Sequence, residues 1–150
     1  MGVFAHTSLQ VPAVHQIEAH PWLQQNDFLA WHKQKGIHVV AYSPFGNQND
    51  IYDAGKELPK LMDDPVLVEI AKKHGKTGAQ VALAWGITKC HSVIPKSKTE
   101  SRIKANLEGD FKLSDEEMKR IGGIDKGLRL NDPSKSFGYE YFTDLEGKKK

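Results

Sequence analysis

One hundred and fifty residues suit a single domain with a buried core, and 21 Lys and Arg against 19 Asp and Glu give too weak a field to select nucleic acid or an anionic membrane. Cys90 is the sole cysteine, which excludes an intrachain disulfide and points to a reducing, cytoplasmic setting. Met1–His6 lacks the basic and apolar regions of a signal peptide, no apolar run reaches membrane-spanning length, and Lys148–Lys150 reads as a solvated end.

Residues 11–17 are a short β-branched run and form the first expected strand. Asn26-Asp27 offers a helix cap ahead of Phe28, Leu29, Trp31 and His32 at near-helical spacing, and Gly36 stops that helix. Residues 37–42 are an apolar run of the kind covered on both faces of a sheet, and Ser43-Pro44-Phe45-Gly46 turns the chain. From Asn47 to Leu61 the composition becomes polar, which predicts a long surface loop at that strand's C-terminal end.

Asp64 caps a helix with Pro65 in its first position, running to about Lys73. Thr77 opens another, with Val81, Leu83, Ala84 and Trp85 on its apolar face. Residues 92–94 make the third strand and Ser101–Asn106 a helix. Ser114 and Glu117 form a capping box for a last helix over Glu116–Ile121, which ends near Gly122-Gly123. The tail over 131–150 carries Phe137, Tyr139, Tyr141 and Phe142, too apolar for a plain linker, and is expected to pack across another part of the fold.

The alternation of strand and helix implies an α/β fold of parallel strands with right-handed crossovers. Three such strands leave two open edges and too little sheet to close a barrel, so the chain reads as part of a larger fold.

Chemistry concentrates after the third strand. Lys96, Ser97, Thr99 and Arg102 crowd two cations and two hydroxyls around a helix start, where unpaired backbone N–H groups and the helix dipole already favour an anion such as a phosphate monoester. The bland alternative is that Ser97 or Thr99 merely caps the helix while Lys96 and Arg102 are solvated surface charges. His15, His20, His32, His38 and His91 show neither a nucleophile arrangement nor metal-ligand spacing, so no catalytic residue and no metal site is assigned.

Three segments, Val11-Pro12-Ala13-Val14-His15-Gln16-Ile17-Glu18-Ala19-His20-Pro21, Val40-Ala41-Tyr42-Ser43-Pro44-Phe45-Gly46 and Ile94-Pro95-Lys96-Ser97 with Arg102 and Asn106, together resemble the C-terminal part of an aldo-keto reductase. The resemblance runs from about Val11 to the end and keeps the motifs in family order. It implies an α/β fold that is part of a (β/α)8 TIM barrel, with residues 11–17, 37–42 and 92–94 as its last three strands, followed by the 131–150 tail. The whole of 1–150 is then one domain.

By the same resemblance the cofactor is NADPH/NADP and the reaction is reduction of a small-molecule carbonyl to an alcohol. Gln16 would hydrogen-bond the nicotinamide carboxamide and Tyr42 would stack on its ring. Ser43, Phe45 and Gly46 would hold the pyrophosphate; Lys96, Ser97, Thr99 and Arg102 would clamp the adenosine 2′-phosphate; Asn106 would reach the adenine. Each has a local alternative: a packed tyrosine, a glutamine bonding backbone, a turn glycine.

Four departures from the family pattern stand out. His15 replaces an Asn before the strand glutamine, where a buried imidazole could substitute for the amide with different reach. Ala105 replaces an acidic adenine contact, and Phe4-Ala5 stands where a Ser-Asn pair contacts the nicotinamide. The catalytic tetrad of Asp, Tyr, Lys and His lies in the first half of the family barrel, which this sequence does not match; Tyr42 is not that Tyr. The sequence therefore leads to an NADPH-dependent reductase polypeptide lacking the half with the tetrad and inactive alone. The alternative is a non-catalytic half-barrel that self-associates or pairs with a partner through open strand edges.

Overall fold

The computed structural model describes residues 10–46 and 58–142. Three parallel strands form one sheet in the order β1 (Val14–Glu18), β2 (His38–Tyr42), β3 (Ser92–Val93). Val14 to Glu18 pair in step with His38 to Tyr42, and Val40 and Ala41 pair with Ser92 and Val93. The first strand begins three residues later than its apolar run because Pro12 has no N–H to give; the pairing opens where His38 N donates to Ala13 O at 2.9 Å.

Helix α1 (Asn26–Gln34) lies over one sheet face, where Ile17, Ala19, Val39 and Ala41 are buried with Phe28, Leu29 and Val93 against them. On the other face of β2, His38 is exposed and Val40 and Tyr42 are half-buried, so among the described residues this strand is covered on one side, not two. The apolar run alone could not distinguish these cases, because Val40 is as apolar as Val39 and Ala41.

The cap of α1 differs from the expected Asn26-Asp27. Gln25 takes the N-cap position in the left-handed region, φ 47°, and makes no side-chain cap bond. Its amide is drawn elsewhere, donating to Glu18 O at 2.6 Å and accepting from Arg129 at 2.8 Å.

A second core joins α2 (Pro65–His74), α3 (Gly78–Thr88) and α5 (Asp115–Gly122), with Leu67, Ile70, Val81, Trp85, Leu113 and Ile121 buried together with Trp22 and Leu61. Each such side chain contributes about 1.5–3 kcal/mol by leaving water. The caps hold these helices in register: Asp64 accepts from Val66 N and from the Trp22 indole, and Gly75 closes α2 at φ 62°. Ser114 and Glu117 form the expected capping box. Helix α4 (Glu100–Leu107) buries no residue, and α6 (Ser134–Phe137) is a single turn.

Of the loop expected over 47–61, residues 47–57 lie outside the described residues; Leu58, Pro59 and Lys60 are exposed and Leu61–Asp63 forms a 3-10 turn. The tail splits in role. Asn131, with Leu130 just before the tail, bonds the end of β1, and Arg129 stands 3.9 Å over the Phe142 ring, whereas Phe137, Tyr139 and Tyr141 pack mainly on one another and stay exposed; 143–150 lie outside the described residues. Among the described residues no helix is long and apolar enough to cross a membrane.

Candidate functional site

The chain leaves each parallel strand at one end of the sheet, the end where α/β folds bind ligands. After β2, Gly46 N donates to Ser43 O at 2.9 Å, closing the Ser43–Gly46 turn. Ser43 is held at φ 49° and Gly46 at φ 67°, the first a strained conformation for a residue with a side chain. The Ser43 hydroxyl accepts from the Asn131 amide at 3.2 Å and keeps its own proton free to donate.

This turn forms one wall of a cleft of about 760 Å³. Ile94, Lys96 and Ser97 from the segment after β3, with Arg102, Ala105 and Asn106 of α4, form another. Thus Ser43, Phe45, Gly46, Lys96, Ser97, Arg102 and Asn106, proposed from sequence as parts of one site, do share one cavity. Among the described residues three cations line it, Lys60, Lys96 and Arg102, and no carboxylate does. Among the described residues none of the three has an acidic partner within 4.0 Å. A cluster of exposed cations with no acidic partner favours a multiply charged anion.

Three sequence candidates stand apart from this cleft. Thr99 occupies the N-cap of α4 but its side chain makes no cap bond and does not line the cavity. Instead the Ser97 hydroxyl oxygen accepts from Thr99 N at 3.1 Å, closing a tight local turn. Gln16 and Tyr42 lie on the sheet face shared with Val40, before the turn and outside the cleft. Gln16 is exposed and Tyr42 half-buried. Burial pushes the Tyr42 hydroxyl pKa up, the Glu18 carboxylate adds to that, and Arg129 opposes it.

His15 faces the other way. It pairs with Val39 on the α1 side of the sheet and its Nδ1 stands 2.7 Å from His32 Nε2. His32 Nδ1 donates to Phe28 O at 2.7 Å, so His32 Nε2 accepts and His15 Nδ1 carries the donated proton. Burial, then the nearby His32, holds His15 below its usual pKa. It cannot replace the amide expected beside Gln16.

Besides Pro44, Ile94 and Ala105, which the sequence reading named without giving them a binding role, it missed Lys60, Met62, Thr77, Ala79 and Gln80. A signal existed for the last, because Thr77-x-x-Gln80 reads as a capping box, and the structure forms it: Gln80 N donates to Thr77 Oγ1 and Thr77 N to Gln80 Oε1. Gln80 Nε2 also donates to Ala105 O at 3.0 Å, tying α3 to α4 behind the cleft.

A buried polar strap braces the strand ends. Glu18 is wholly buried and accepts from Leu130 N and Asn131 N, both at 2.9 Å, and from His20 Nε2 at 3.1 Å. Arg129 approaches to 3.9 Å. Burial alone would raise the Glu18 pKa, but the His20 bond and charge with the two backbone donors outweigh it and hold the carboxyl below its usual value.

Comparison with known proteins gives one family. Residues 5–126 match the model described as the aldo/keto reductase family. The chain is 48% identical over 138 residues to an uncharacterized oxidoreductase of Schizosaccharomyces pombe, covering 90% of this chain and 41% of that protein. It is 45% identical to an NAD(P)H-dependent pentose reductase of Pyricularia oryzae, with 82% of this chain and 39% of the relative covered. Against aldo-keto reductase family 1 member A1 of Bos taurus the identity is 42%, with 79% and 37% covered. The chain spans about two fifths of the length of these relatives.

Proposed function

The chain belongs to the aldo/keto reductase family, and from that premise we propose that it forms the NADPH-binding portion of a carbonyl reductase, equivalent to the last three strand–helix units of a (β/α)8 barrel. The observation that carries this reading is the cleft itself, lined among the described residues by three cations and no carboxylate, beside a strained turn at the strand ends. Its residues fit a phosphorylated dinucleotide better than an uncharged or cationic ligand.

Lys96 and Arg102, with the Ser97 hydroxyl, are assigned to the 2′-phosphate, whose charge of about −1.5 to −2 at neutral pH two cations offset. Ser43, Phe45 and Gly46 are assigned to the pyrophosphate, Asn106 to the adenine, and Gln16 and Tyr42 to the nicotinamide. Thr99 acts by shaping the Ser97 turn, not by contact. The bound cofactor supplies the hydride; this chain's groups bind it and orient its ring. Protonation of the carbonyl oxygen is assigned to the part of the family fold that these residues do not span, where the resemblance puts the tetrad of Asp, Tyr, Lys and His. The substrate class is a small aldehyde or ketone, sugars included, in keeping with the name of the pentose reductase relative. A cytoplasmic setting, with Cys90 free and exposed, completes the proposal.

Replacing Lys96→Met together with Arg102→Ala tests the assignment. Loss of charge-assisted bonds predicts NADPH binding weaker by about 10- to 100-fold and NADH binding changed by less than about threefold. Titrations showing equal losses for both cofactors would remove the 2′-phosphate from this site.

A further inference from the structure

We infer that Lys60 is a third anion-binding side chain of the cleft and meets the pyrophosphate of the dinucleotide, an assignment that rests on the cofactor reading above. Lys60 comes from neither of the elements that carry Lys96 and Arg102. It immediately precedes the Leu61–Asp63 turn, whose place is fixed on two sides. Leu61 has no solvent exposure and belongs to the core cluster on which Phe45 of the Ser43–Gly46 turn also packs. Met62 O lies so close to Gly78 that a Cβ there would stand 2.0 Å from it, so this stretch is seated against the first turn of α3.

The stem of Lys60 is thus held while its side chain remains exposed at the cavity and without an acidic partner among the described residues. Anchoring of this kind lowers the ordering cost when a flexible lysine meets a ligand.

Charge decides which phosphate it meets. Lys96 and Arg102 offset the monoester, and each phosphorus of the pyrophosphate bridge carries its own further negative charge. The Ser43–Gly46 turn offers that bridge the Ser43 hydroxyl but no cation. Lys60 is the remaining cation of the cleft among the described residues, and it is tied through Leu61 to the core under that turn. Thr77 and Ala79 bring the positive end of the α3 dipole to the same wall.

The test titrates the chain and its Lys60→Met, Lys60→Arg and Lys96→Met/Arg102→Ala variants with NADPH and with NADH, after circular dichroism has shown that each is folded. Both cofactors contain the pyrophosphate, so Lys60→Met is expected to weaken both by about tenfold and leave their ratio unchanged, while Lys60→Arg stays within about twofold. A loss confined to NADPH would place Lys60 on the monoester and overturn the inference. No loss in Lys60→Met, with the double variant still selectively impaired toward NADPH, would overturn it and leave the cofactor reading intact. A double variant with no selective loss would overturn both.

Discussion

His91 carries the clearest pH signature at the residue scale. Its ring is buried edge-on to Trp85 at 6.0 Å between centroids, its Nδ1 has no partner, and burial, followed by Lys89, His38 and His32, pulls its pKa down to about 4 from 6.5. The folded state therefore prefers the neutral ring. Its stabilising contribution is complete above the unfolded value of 6.5 and is lost as pH falls toward about 4, a change on the order of 3 kcal/mol. In urea titrations the wild-type stability is expected to rise steeply from pH 4 to 6.5 and that of His91→Leu to rise less; parallel curves would remove His91 from the account. Nothing in the sequence around His91 marks it as buried, because its neighbours Lys89, Cys90 and Ser92 are polar or small. Glu18 was equally illegible: its donors Leu130 and Asn131 arrive from more than a hundred residues away. The cations Lys96 and Arg102 could be read because they stand close together in the chain beside a helix start, whereas Lys60 joins them only through the tertiary seating of Met62 on Gly78.

At the scale of elements, the local signals that proved legible were those whose physics is itself local. Asp64 before Pro65, the Ser114–Glu117 box and the left-handed Gly36 each satisfy helix-end groups within a few residues. Gln25 escaped because its amide serves Glu18 and Arg129 instead of its own helix. The start of α3 shows both kinds at once. Gly78→Ala drives a methyl into Met62 O and is expected to cost about 1–3 kcal/mol and to weaken NADPH by shifting the cleft wall. Gly122→Ala meets open space at the end of α5 and is expected to stabilise by up to about 1 kcal/mol. Equal melting temperatures for the two variants would contradict the close approach at Gly78.

For the molecule as a whole, the sheet order and the meeting of two segments in one cleft are the statements that matter. Parallel strands were legible from alternation; the meeting of Ser43–Gly46 with Lys96–Asn106 was legible only through the family resemblance, because the two segments are joined only when β2 pairs with β3. Gln16 and Tyr42 lie on a sheet face outside the cleft, so the proposed adenosine end can be tested without the rest of the cofactor. Calorimetric titration of the chain with adenosine 2′,5′-bisphosphate against adenosine 5′-monophosphate measures that end directly. The account predicts that the bisphosphate binds at least about tenfold tighter at low salt and that the advantage shrinks as ionic strength rises. Equal affinities for the two nucleotides, or no binding of either, would contradict it.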